Sequence, residues 1–103
     1  MSAAEVINEA QDDLVALLRD APLPLIAARM KRARKEAKLT HDEAGARMGM
    51  LRQQIIKLEK GANRPRLGTL LRVAEGYGRD ARWFVDPEVD PSPFPVDGSG
   101  GDA

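Results

Sequence analysis

The stretch Leu39–Gly61 reads L-T-H-D-E-A-G-A-R-M-G-M-L-R-Q-Q-I-I-K-L-E-K-G, and it predicts two short helices joined by a tight turn. Thr40 is suited to cap the first helix, and Glu43 three residues on completes the S/T-x-x-E capping box that marks a helix start. Gly45 falls inside that helix, where glycine costs roughly 1 kcal/mol relative to alanine. Its expected use is to admit a second backbone at close range. Gly49 supplies the positive-φ residue that ends the helix. The second helix then runs from about Leu51 to Lys60. Ile55 and Leu58 fall on its inward face, and Arg52, Gln53, Ile56 and Lys57 on the opposite one.

Two helices and a tight turn in this order make a helix-turn-helix. The run resembles, without a gap, the phage repressor and Cro-type family, also called the XRE family. The matching positions are Leu39, Thr40, Glu43, Gly45, Met48, Gly49, Ile55, Leu58, Glu59 and Gly61. Upstream, Ile26–Leu39 resembles the family's first helix. Downstream, Pro65–Gly78 resembles its fourth, and Arg82–Val85 its short fifth. About 60 of the 103 residues are covered. The resemblance implies an all-α fold, a compact five-helix repressor-like helix-turn-helix domain, to which this chain adds an extra N-terminal helix. Two positions depart from the family pattern: Leu51 stands where a small polar residue usually opens the recognition helix, and Ala44 where a larger apolar residue is usual.

In this docking mode, residues near the start of the second helix of the motif reach base edges. Arg52 suits bidentate contact with guanine and Gln53 with adenine, each worth roughly 1–3 kcal/mol of discrimination. Lys57, one turn on, reaches guanine or a phosphate. Ile56, expected to be exposed, suits a thymine methyl, and Leu51 completes the base-contacting set. The resemblance further places His41, Gln54 and Arg64 near positions that contact the DNA backbone. It also places Arg66 after Pro65, as in members that reach the minor groove, where a narrow A·T-rich groove attracts arginine. Arg34 and Glu59 match a family pair that forms a buried ion pair between the first and third helices.

Composition is compatible with this reading once it is taken in segments. The formal net charge is zero. Residues 1–20 hold five acids and one arginine, a net of −4. Residues 21–85 hold fifteen Lys and Arg against six acids, a net of +9, and residues 86–103 hold five acids and no base, a net of −5. A basic centre between acidic arms is the electrostatic footprint of a nucleic-acid binder. The absence of cysteine excludes disulfides and thiolate metal sites. No apolar run approaches the roughly 18 residues of a membrane span, and the acidic N-terminus lacks a signal peptide's basic start. The expected location is the cytoplasm.

Three segments are expected: an acidic amphipathic helix in residues 1–21, the DNA-binding domain in 22–85, and a disordered acidic tail in 86–103. Ser2 and Glu5 form a second capping box. Ile7, Ala10, Leu14, Leu17 and Leu18 then recur at threes and fours on one face. That helix either packs on its own domain or serves as an arm for a second copy or a small protein partner. Pro22 and Pro24 separate it from the next helix, which runs to about Lys38. Leu25, Ile26, Met30 and Ala33 are expected inside, and Arg29, Lys31, Arg32 and Lys35 outside. Asn63, Arg64 and Arg66 lie in a turn suited to DNA. Leu67, Leu70, Leu71, Val73 and Ala74 supply core, Asp80 caps the last turn, and Trp83 and Phe84 hold most of the aromatic mass. Four prolines, three glycines and five acids in the last eighteen residues point to disorder.

The expected function is a sequence-specific DNA-binding transcriptional regulator: a repressor that binds a pseudo-palindromic site on double-stranded DNA as a homodimer. One alternative is the antitoxin of a toxin-antitoxin pair. Another is a protein-interaction module on the same fold, such as an antirepressor or coactivator. With one histidine, no cysteine and no phosphate-binding glycine loop beside a strand, the sequence meets no catalytic or metal-site pattern. No enzyme activity, cofactor or metal is expected, and no membrane contact.

Overall fold

The computed structural model describes residues 3–89, with side chains from Asp12 onward. The described residues form six helices and no strand: α1 (Ala3–Asp20), α2 (Leu23–Glu36), α3 (His41–Met48), α4 (Arg52–Lys60), α5 (Leu67–Tyr77) and α6 (Arg82–Val85). None is long and apolar enough to cross a membrane. The capping box expected at Ser2 and most of the expected tail, residues 90–103, lie outside the described residues.

Helices α2 to α5 all stop in the same way. At the end of α3, the Met50 N–H donates to Gly45 O at 2.8 Å and the Gly49 N–H to Ala46 O at 3.4 Å, with Gly49 at φ 69°. This is the Schellman motif, which satisfies carbonyls that the helix leaves unpaired. Gly61 and Gly78 play the same part after α4 and α5. At the end of α2 the left-handed residue is Lys38, at φ 60°, with Leu39 N–H on Arg34 O and Lys38 N–H on Lys35 O. The helix therefore ends at Glu36, two residues before the expected end near Lys38.

The core is built from Ile26, Met30 and Ala33 of α2, Ala44 and Met48 of α3, Ile55 of α4, Leu70, Val73 and Ala74 of α5, and Trp83, Phe84 and Val85 of α6. Ala44 is fully buried, so the small residue there is accommodated by close packing. Gly45 is needed for the approach of the following turn: a Cβ at that position would lie 2.6 Å from the Met50 carbonyl oxygen, a backbone atom that cannot swing away. Thus α3 and α4 are brought together through backbone, as the motif's glycine suggested. Leu71, expected in the core, is 42% exposed. Leu25 is only partly buried.

Helix α1 closes the core from outside the motif, with Leu14 and Leu18 buried against it. Of the two uses expected for this helix, its described C-terminal half thus serves the packing of its own domain. Arg64 fastens its end by donating from Nη1 to Leu18 O at 2.8 Å and to Ala21 O.

Arg29 corrects the sequence reading most clearly. Placed on the solvent face by its charge, it is only 2% exposed. Its Nη1 donates to Trp83 O at 2.6 Å and Asp86 O at 2.5 Å. Helix α6 has four residues, too few to be stable alone, and its C-terminal carbonyls need donors. A guanidinium from α2 provides them.

Asp86 is buried as well, accepting from Arg82 at 2.8 Å and from the Glu88 N–H at 2.9 Å. Asp86 and Val89, assigned to the tail by composition, therefore pack on the domain. Trp83 stands edge-on to Phe84, with ring centroids 5.0 Å apart, and Arg79 lies 4.0 Å from the Trp83 centroid while pairing with Glu36.

Candidate nucleic-acid interface

Helix α4 is anchored by its C-terminal half and presents its N-terminal half. The anchor is the pair Arg34–Glu59, joined by Nε to Oε2 at 2.6 Å and Nη2 to Oε1 at 3.1 Å. This is the bidentate arrangement that matches guanidinium to carboxylate. The Arg34 Nη1 also donates to Leu39 O at 2.9 Å, so one side chain holds the end of α2, the start of the motif and α4. Ile55 fills the core beneath. Burial pushes the nearby Tyr77 hydroxyl up to about 12, and the Glu59 charge adds to that shift.

His41 belongs to this network. Its Nε2 lies 3.2 Å from Glu59 Oε1. A carboxylate only accepts, so Nε2 carries the hydrogen, and a neutral ring then has only an acceptor left. His41 can donate to a phosphate only as imidazolium. The position expected on the DNA backbone is thus tied first to the buried pair.

The start of α4 lacks an ordinary cap. Leu51 is extended, at φ −75° and ψ 151°, and has no side-chain acceptor. Gln54 compensates in part, its Oε1 accepting from the Leu51 N–H at 2.8 Å. This orients the Gln54 amide and leaves its NH₂ group, a double donor, for other partners. Leu51 itself is 70% exposed.

Arg52, Gln53 and Lys57 are all exposed on the outer face of α4. Ile56 is partly buried, so it offers this face less than the expected exposed side chain. Arg52 Nε lies 3.7 Å from Asp42 Oδ1 of α3.

Beside this face, a cleft of about 280 Å³ between α4, the following turn and α5 is lined by Gln54, Lys57, Asn63, Arg64, Arg66, Thr69 and Arg72, among others. It brings together Gln54, Lys57 and Arg66 from the sequence reading. It also adds Thr69 and Arg72 of α5, two residues that reading missed. Their signal was present as a polar stripe on α5, but hydrophobic periodicity marks only the buried face of a helix.

Arg64 lines the same cleft, yet its guanidinium donates to the α1 carbonyls described above. Arg64 thus has a structural role beside the one expected for it on the DNA backbone, since these contacts use only its Nη1. Arg66 caps no partner with its side chain and is exposed.

An exposed basic helix face set on a buried ion pair defines a DNA-reading helix-turn-helix, and similarity to known proteins agrees. The family model described as "Helix-turn-helix" matches residues 30–84. A protein of Sinorhizobium fredii described as an HTH-type transcriptional regulator is 34% identical over 70 residues, covering 68% of this chain and 90% of the relative. One from Methanothermobacter thermautotrophicus with a similar description is 47% identical over 47 residues, covering 46% of this chain and 68% of the relative. No solved structure matches. The chain belongs to the XRE-type helix-turn-helix family of DNA-binding transcriptional regulators. Helix α1 precedes the residues the family model covers.

Proposed function

We propose that the protein is a sequence-specific repressor that binds a pseudo-palindromic operator as a homodimer, in the cytoplasm. The observation that carries this reading is the solvent-facing set Arg52, Gln53 and Lys57 on a helix whose other side is locked by Arg34 and Glu59. Recognition helices of two copies enter successive major grooves about 34 Å apart. Arg52 reads guanine O6 and N7, Gln53 reads adenine N6 and N7, and Lys57 reaches guanine or phosphate. Leu51 and the exposed part of Ile56 meet thymine methyl groups. The Gln54 amide and Arg66, with Arg72 beside them, contact backbone phosphates or the minor-groove edge, and His41 joins them when protonated.

The test is binding selection on random duplexes with the whole chain, followed by Arg52→Ala and Gln53→Ala on the selected site. Each substitution is expected to relax preference at one base pair of each half-site at a cost of about 1–3 kcal/mol. Failure to enrich any motif defeats the reading and returns the chain to the class of protein-interaction modules such as antirepressors. Solution mass with and without the selected duplex tests the homodimer. Co-purification of a small basic protein bound along the acidic α1 would favour the antitoxin version.

A further inference from the structure

The acid at the edge of the candidate reading face gains the general benefit of a helix N-terminus but is not held in a capping hydrogen bond. Asp42 lies in the first turn of α3, 3.7 Å from Arg52 Nε, and both side chains are open to water, 79% and 58% exposed. An ion pair that open contributes little to stability. Its neighbour Glu43 is accounted for, because its carboxylate accepts from the Thr40 N–H in the capping box. Asp42 makes no such contact. A carboxylate beside Arg52 also weakens attraction to phosphates. Binding strength alone therefore gives no reason for an acid here.

Geometry gives one. A guanidinium has an edge at Nε and an end formed by its two terminal nitrogens. The end is the part that matches guanine O6 and N7. A carboxylate at the Nε edge restrains the side chain and leaves that end free. The pair is weak in water but is felt more strongly in a groove from which water is displaced.

We propose that Asp42 is a positioning residue for base readout, which holds Arg52 by its Nε edge and turns its terminal nitrogens to one guanine of each half-site. This rests on the reading of Arg52 as a base-contacting residue. Asp42 exchanges affinity for selectivity: it repels phosphates of every sequence and improves discrimination at one base pair.

The experiment measures affinities of the full chain for the selected duplex and for its three single-base variants at the pair whose preference Arg52→Ala reduces, but does not erase. The proteins are wild type, Asp42→Asn, Arg52→Ala and the double variant. Asp42→Asn is expected to bind all four duplexes more tightly while its discrimination at that pair falls about three- to fivefold, and the asparagine is expected to leave discrimination unchanged when Arg52 is already alanine. Unchanged discrimination in Asp42→Asn overturns the proposal. So does an equal loss in the Arg52→Ala background, which would mean that Asp42 reads a base directly. A purely structural Asp42, favourable at a helix N-terminus, would shift the melting temperature and leave the ratio alone. If Arg52→Ala relaxes no position, this proposal falls while DNA reading by other residues stands. If the wild type selects no sequence, both fall.

Discussion

Arg34 and Glu59 clasp each other through two N–H···O contacts of 2.6 and 3.1 Å, joining α2 to α4, with their side chains only 11% and 7% exposed. Because the pair is nearly dry, its members are worth keeping or removing only together. Glu59→Ala strands the Arg34 charge and is expected to lower the unfolding free energy by about 3–5 kcal/mol. Arg34→Met combined with Glu59→Leu is expected to cost far less. Urea titrations of the three proteins check this, and an equal loss in the single and double variants would show that the pair contributes net stability of its own.

Arg29 is the residue on which α6 depends. Arg29→Met removes the donor from the Trp83 and Asp86 carbonyls and is expected to destabilise the domain by about 2–4 kcal/mol. The chain has a single tryptophan, so Trp83 fluorescence reports α6 directly. Loosening of α6 should appear as a change in that emission below the main thermal transition.

Arg64 and Arg66 flank one proline and are expected to do different work. Arg64→Ala is expected to cost about 1–2 kcal/mol of stability, because two carbonyls at the end of α1 lose a charged donor. It should leave the dependence of DNA affinity on salt almost unchanged. Arg66→Ala should leave stability alone and reduce the slope of log affinity against log salt by about one. The opposite pattern would return Arg64 to the DNA backbone.

Asp86 makes stability depend on acid. The Glu88 backbone N–H, and then the Arg82 side chain, hold its carboxyl below the usual 3.8. A depressed folded value means that the unfolded chain takes up the proton first. The contribution is complete above the ordinary value and is lost as pH falls through the lower, folded one. The Asp86 contribution to the melting temperature is therefore expected to be constant near neutrality, and below about pH 4 the melting temperature is expected to drop less steeply in Asp86→Asn than in the wild type.

Lys38 occupies a left-handed conformation at φ 60°, where a side chain is strained and glycine is not. Lys38→Gly is expected to raise stability by about 1 kcal/mol, since the other three helix ends of this kind already carry glycine. Thermal melting decides it, and a lower melting temperature would show that lost backbone entropy outweighs the relieved strain.

The local signals of the sequence were sufficient for the motif. Thr40 and Glu43 cap α3, Gly49 takes positive φ and Ile55 turns inward, because these features depend on neighbours three or four residues away. The ion pair of Arg34 and Glu59 came from resemblance and not from spacing, and Asp80 accepts from the Arg82 N–H at 2.9 Å as its position suggested. What periodicity could not supply was the direction of each arginine. Arg29 and Arg64 both turn onto carbonyls more than forty residues away. Their partners are helix ends, which exist as acceptors only after α1 and α6 have docked. The sequence by itself thus determined the helices, the three stops that carry glycine and the exposure of Arg52, Gln53 and Lys57. Only the tertiary structure decided which of the fifteen cations in residues 21–85 remain for DNA, because a guanidinium is satisfied equally by water, by phosphate or by a distant helix terminus, and only packing selects among them.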